Sequence, residues 1–243
     1  MTATPLPLQI LVISLSRSLD RRAKVVQEFQ KVSLPWSFLD AVDGSALQGP
    51  PKEYKALKVK CLQGYKLTPN EIGCYLSHKE AWIRCAEKNI PTLIFEDDFV
   101  LTPEFGHVIQ TLLSNPMSWG FVRLQGLYEV SYQEISFIDD VHLVKNSGDA
   151  VGATAYLLKP EIARILINES SEIYEPVDHF LEHQKKHGLE FLAIRPYPVD
   201  ITRAKSTIDD REERAPVQGL RKRLRSVARA FDRVFNKKPW FPR

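Results

Sequence analysis

A chain of 243 residues, 44% of them hydrophobic and 26% charged, carries enough apolar side chains to bury the core of one α/β domain. Three cysteines, Cys61, Cys74 and Cys85, form no C-x-x-C pair and no histidine-rich cluster, which argues against a disulfide framework or a zinc site and fits a reducing cytosol. The net charge of +3 divides unevenly: residues 211–243 hold 11 Lys or Arg against 3 Asp or Glu, giving +8, while the remainder, 22 against 27, is −5.

Near the start, Gln9-Ile10-Leu11-Val12-Ile13-Ser14 reads as a strand buried on both faces. It is too short, and too soon followed by Arg17, for an export signal. The polar loop from Ser16 to Arg22 leads into a helical pattern with Val25, Val26 and Phe29 on one side, and Trp36 to Ala41 resumes a strand, so the opening is β-α-β. Asp43-Gly44 marks a turn, and residues 45–66 read as an irregular excursion. Thr68-Pro69-Asn70-Glu71 is a capping box, because the Thr hydroxyl and Glu carboxylate each satisfy an orphan backbone N–H. The helix it opens carries Ile72, Tyr75, Leu76, Ile83 and Ala86 mainly on one side and stops near Asn89 and Pro91. On that pattern Ser77 and His78 lie off the apolar side, and Cys74 and Tyr75 are packing residues.

The strand Thr92 to Phe95 runs straight into Glu96-Asp97-Asp98. Farther along, Trp119–Leu124 and Ala153–Leu158 are strands, and a helix opens at Pro160. Residues 128–146 form a hairpin or a loop, Pro176-Val177-Asp178 opens a short helix, and Leu189–Ile194 is a last strand. The alternation predicts a mainly parallel sheet with helices on both faces, where ligands bind beyond the carboxyl ends of strands. No run approaches the roughly 18–20 apolar residues of a spanning helix. In the basic tail Leu220, Leu224, Val227, Phe231 and Val234 recur at helical spacing among arginines. Such a helix either docks on an anionic membrane surface or packs on the body.

Adjacent acids at a strand's carboxyl end repel one another unless a cation neutralises them, and Mg²⁺ or Mn²⁺ prefers oxygen ligands while leaving positions for phosphate oxygens. Glu96 and Asp98 are the expected metal pair and Asp97 a ribose or sugar contact; a solvated acidic turn is the alternative. Ile13 to Arg22 resembles the I-N-L-x-R-x-x-D-R-R opening of glycosyltransferase family 25, with Ser14 in place of Asn, and Phe38 to Gly44 resembles its F-x-D-A-V-D-G. Asn70 to His78 resembles G-E-I-G-C-x-L-S-H, with Asn70 in place of Gly, and Leu93 to Asp98 resembles L-I-L-E-D-D.

The resemblance implies a GT-A type, Rossmann-like mixed α/β fold over residues 1–210, with 211–243 as an appended tail. It further implies a UDP-sugar donor, inversion at the anomeric carbon and, for bacterial members, a lipopolysaccharide or lipooligosaccharide acceptor that often receives galactose. Inverting transfer needs a base, and Pro176-Val177-Asp178 resembles the family's P-V-D, which nominates Asp178; the alternative is an ordinary helix cap. Arg17, Asp20, Arg21, Ser77 and His78 are the expected further donor contacts, although the loop arginines and the polar helix face are equally at home in solvent. His183 is expected to be an exposed helix residue rather than a metal ligand. A cytoplasmic enzyme, peripheral on the inner membrane face through its tail and not binding nucleic acid, follows from this reading. A metal-dependent nucleotide-sugar hydrolase and a non-catalytic glycan or nucleotide-sugar-binding relative share the same acidic motif.

Overall fold

The computed structural model describes residues 7–202. Strand β1 (Gln9–Ser14) is buried throughout, and its side chains alternate between two cores, Ile10 and Val12 entering one and Leu11 and Ile13 the other. Helix α1 (Leu19–Phe29) buries Val25 and Phe29, whereas Val26, expected on the same face, is 41% exposed. Strand β2 (Ser37–Asp40) returns parallel to β1.

The expected irregular excursion contains order: a 3-10 turn at Gly44–Ala46 and helix α2 (Ala56–Leu62), whose Val59 and Leu62 enter the core. Helix α3 (Pro69–Lys88) starts at its capping box, with Glu71 N–H donating to Thr68 Oγ1 at 3.2 Å and Thr68 N–H to Glu71 Oε2 at 2.9 Å. Asn89, at φ 54°, ends it. Strands β3 (Thr92–Glu96) and β4 (Phe99–Leu101), helix α4 (Phe105–Ser114) and strand β5 (Phe121–Arg123) follow. Residues 128–146 hold a hairpin, β6 (Tyr132–Ile138) and β7 (Val141–Asn146). Its turn residues Asp139 and Asp140 both take positive φ, matching the twist of the strands. The described residues end with β8 (Ala155–Leu158), α5 (Pro160–Glu169), α6 (Val177–Glu182), α7 (Gln184–His187), β9 (Phe191–Arg195) and β10 (Val199–Ile201).

Among the described residues eight strands form one sheet in the order β2-β1-β3-β8-β5-β9-β7-β6. Following the pairings, six strands share one direction, and β8 and β7 oppose them. Residues of α2, α3, α5 and α6 fill the core on one face, and those of α1 and α4 fill the other. This is the mixed, mainly parallel Rossmann-like sheet expected of a GT-A fold. A small antiparallel pair, β4 with β10, lies apart from it. Neither of those two short strands has a repeat long enough to announce itself in sequence. Among the described residues no helix is long and apolar enough to cross a membrane. The basic stretch 211–243 and the boundary at 210 lie outside the described residues.

Because β2, β1 and β3 are adjacent and parallel, their carboxyl ends open on the same edge of the sheet. That edge brings together Ser14, the loop after Asp40, and Glu96-Asp97-Asp98.

Candidate active site

An open cleft of about 770 Å³, solvent at its mouth included, lies at that edge. Ser14, Arg17 and Arg21 line it from the β1–α1 connection, Val42 and Gly44 from the loop after β2, Asn70, Cys74 and Ser77 from α3, and the three acids from the end of β3. The wall between α3 and the β2 loop depends on two glycines. A Cβ on Gly73 would stand 2.6 Å from Val42 O, and one on Gly44 would stand 2.1 Å from Pro69 O, both against backbone. Ser77 seals the same junction, accepting from Val42 N–H at 2.8 Å and donating to Gly73 O at 2.7 Å. Arg17 pairs with Asp43 across the rim.

The three carboxylates occupy different environments. Asp97 is satisfied: Arg21 donates to its Oδ1 at 2.8 Å and the Ser14 hydroxyl to its Oδ2 at 2.6 Å. Glu96 is held from behind, its Oε1 lying 3.3 Å from His78 Nε2 and 3.5 Å from Cys74 Sγ, and its Oε2 3.4 Å from Thr154 Oγ1. Burial alone would raise its pKa, but the hydrogen bond and charge of His78, with Cys74 and Thr154, outweigh that and hold it below the usual carboxylate value. Asp98 is the unbalanced member. Burial, then the charges of Glu96 and Asp97, push it up to about 7, and its Oδ1 is buried without a hydrogen-bond partner. A buried oxygen that is orphaned and repelled by two neighbouring acids is the chemistry a hard divalent cation relieves, so the expected metal fits at Asp98. Glu96, already engaged by three side chains, offers less to that ion than Asp98 does.

Behind Glu96 runs a buried chain of hydrogen bonds. Trp82 Nε1–H donates to Tyr156 Oη at 2.9 Å, and Tyr156 Oη lies 2.7 Å from His78 Nδ1. A carboxylate only accepts, so the His78 Nε2 facing Glu96 carries a proton, and in the neutral ring Nδ1 accepts from Tyr156 Oη. Cys74, His78 and Glu96 place one sulfur, one nitrogen and one oxygen within 4.8 Å of one another.

Of the expected site residues, Arg17, Arg21, Ser77, Glu96, Asp97 and Asp98 converge on the cleft. Asp20 is exposed on α1 and is not part of the lining. His78 needs correction: it does not stand free on a polar helix face but is fully buried against Tyr156 of β8, because α3 is enclosed by the sheet on one side and by α5 and α6 on others. Ser77 is also buried, and its hydroxyl is committed to backbone. Asp178 sits inside the first turn of α6, whose N-cap is Pro176, so it is not the helix cap. It is half-buried and does not line the cleft, yet its charge helps raise the Cys74 thiol, after burial and Glu96. His183 is 41% exposed and stands 3.0 Å from the buried Glu175 carboxylate.

Sequence reasoning missed the parts played by Ser14, Cys74, Thr154 and Tyr156. Only Cys74 had a usable signal, four residues before His78 and therefore on the same helical face.

Residues 8–181 match the profile of "Glycosyltransferase family 25 (LPS biosynthesis protein)". The chain belongs to glycosyltransferase family 25. Among curated relatives it is 29% identical over 186 residues to a rat "Probable inactive glycosyltransferase 25 family member 3", covering 71% of this chain and 32% of the relative. It is 32% identical over 115 residues to human "Procollagen galactosyltransferase 2", covering 44% and 18%. An Anopheles gambiae "Glycosyltransferase 25 family member" matches at 26% over 242 residues, 88% of this chain and 40% of the relative. The chain thus spans between 18% and 40% of the length of these family 25 relatives. The family match takes in the whole acidic edge, α3 and Asp178.

Proposed function

We propose that this family 25 chain is an inverting glycosyltransferase that moves a hexose, galactose favoured, from a UDP-sugar to a lipopolysaccharide or lipooligosaccharide glycan. The observation that carries the reading is Asp98, a buried carboxylate with an orphaned oxygen at the carboxyl end of β3, on the floor of an open cleft. The family's description as an LPS biosynthesis protein supports the acceptor, and the procollagen galactosyltransferases among the relatives support the sugar.

In this reading Asp98, with Glu96, holds a Mn²⁺ or Mg²⁺ ion, which when bound supplies positive charge for the departing diphosphate. Asp97, immobilised by Ser14 and Arg21, presents a fixed acceptor to the ribose or sugar hydroxyls. Arg17 reaches the donor from the rim, and Ser77 keeps the wall of the cleft in place rather than touching the donor. Asp178 takes the proton of the attacking acceptor hydroxyl. Residues 211–243, with their charge of +8, hold the enzyme on the anionic inner face of the plasma membrane, where a lipid-linked acceptor is found. Deleting them lowers affinity for anionic vesicles and spares transfer to a soluble acceptor; unchanged vesicle binding removes this role.

Calorimetric titration with UDP-galactose, UDP-glucose and UDP-N-acetylglucosamine, with and without Mn²⁺, tests the reading. Metal-dependent preference for one donor supports it, and binding of none refutes it. A second reading, a nucleotide-sugar-binding relative without turnover, is favoured by the relatives described as inactive. Metal-dependent donor binding without transfer to any glycan distinguishes it.

A further inference from the structure

We propose that Cys74, His78 and Glu96 form a binding site for a thiophilic divalent ion of the zinc class, which meets the carboxylate edge at Asp98 only through Glu96. The spacing of Cys74 and His78 places both side chains on one face of α3, directed at the end of β3. His78 Nε2 and Cys74 Sγ approach the same Glu96 oxygen at 3.3 and 3.5 Å, and all three donors lie within 4.8 Å of one another. Bonds of about 2.0–2.3 Å at tetrahedral angles set ligand atoms roughly 3.3–3.8 Å apart, so the two separations from Glu96 Oε1 already match those a bound zinc imposes, and the third, within 4.8 Å, closes to that range by a small movement of the Cys74 side chain. One sulfur and one imidazole among three ligands favour zinc, cobalt or copper over the magnesium or manganese that an all-oxygen site selects. The sequence argued against such a site because the third ligand, Glu96, is 18 residues beyond His78 and joins it only through the packing of α3 on β3.

The surroundings are those of a supported metal site. His78 is oriented through its other nitrogen by Tyr156 Oη at 2.7 Å, and Tyr156 is fixed in turn by Trp82 at 2.9 Å. Thr154 braces Glu96 twice, its carbonyl accepting from Glu96 N–H at 2.8 Å and its hydroxyl facing Oε2. His78 closes the pocket from behind, whereas Cys74 and Glu96 line the cleft. The fourth position therefore opens toward the cleft, the arrangement of three protein ligands and one exchangeable site. On binding, the Cys74 thiol proton leaves to solvent through the cleft. The His78 Nε2 proton moves to the Nδ1 tautomer, which donates to a lone pair of Tyr156 Oη. Glu96 is the only residue shared with the Asp98 edge, and the site exists whether or not the chain turns over a donor.

The test uses the full chain, stripped with a chelator and titrated with Co²⁺ alone, then with Zn²⁺. The expected spectrum has the intense visible bands of four-coordinate cobalt together with thiolate-to-cobalt charge transfer, both displaced by an equivalent of zinc. Cys74→Ser abolishes the charge transfer, Cys61→Ser leaves it intact, and Tyr156→Phe weakens affinity by about 10–100-fold. Weak bands of six-coordinate cobalt alone, without the intense bands, or charge transfer that survives in Cys74→Ser, overturns the proposal. Alkylation of the wild-type chain needs no variant to fold: zinc should protect Cys74 while the exposed Cys61 reacts as before. Labelling of Cys74 in the metal-free chain at alkaline pH that zinc does not slow also overturns it. Failure of every UDP-sugar to bind leaves these spectra unaffected, so the two readings fail separately.

Discussion

Replacing Asp98 with Asn should stabilise the metal-free protein in alkaline solution while abolishing its stabilisation by Mn²⁺. Asp98 is raised from 3.8 to about 7 by burial and by its two acidic neighbours. The folded chain therefore holds a proton there that the unfolded chain has already released. Stability falls as pH rises from about 4 to 7, and the cost of the ionised carboxylate is fully present above 7. The rise in pKa corresponds to about 4 kcal/mol, and relaxation of the open cleft reduces the realised gain to about 2–4 kcal/mol at pH 8. For a chain of this size that is an increase in Tm of about 5–15 °C, vanishing by pH 4. Thermal unfolding of both proteins in chelator at pH 4.5, 6 and 8, repeated with Mn²⁺ at pH 8, measures it. A variant no more stable than wild type at pH 8, or a difference independent of pH, refutes the argument. So does undiminished stabilisation of the variant by Mn²⁺, because the carboxylate that holds the ion would then be another.

Gly73→Ala drives a Cβ to 2.6 Å from Val42 O and should cost about 1–3 kcal/mol, whereas Gly106→Ala, with nothing within 4 Å, should gain about 0.5–1 kcal/mol; urea unfolding compares the two. Arg21→Ala leaves Asp97 with Ser14 alone and removes the positive charge that restrains Asp98, so stability at pH 8 should fall by about 1–3 kcal/mol, with the loss smaller at pH 4.5. Asp178→Asn should bind donor as wild type does and lose transfer by about 10²–10⁴-fold, read as kcat against donor Kd; undiminished turnover excludes it as the base.

What sequence alone determined about this protein is local or strictly periodic. The capping box at Thr68 and Glu71 is satisfied within one turn, so its residues declare the start of α3 without reference to the rest of the chain. The unbroken apolar run of β1 requires cover on both faces, and a run such as Thr92 to Phe95 ending in three acids places those acids at the ligand edge of an α/β sheet. The family motifs lie within these same segments, which is why the fold and the address of the cleft were legible.

The roles within the cleft were decided by partners distant along the chain. Ser14 meets Asp97 across 83 positions, Ser77 meets Val42 across 35, and His78 meets Tyr156 across 78. A helical periodicity tells which residues share a face but not how many faces are covered. α3 is packed against the sheet, α5 and α6, so Ser77 and His78, off its apolar stripe, are buried nonetheless. The three consecutive acids look equivalent in sequence. Tertiary packing gives Asp97 an arginine and a serine, gives Glu96 a histidine, and leaves a buried oxygen of Asp98 with no partner, and it is this unequal distribution of hydrogen bonds that separates their chemistry.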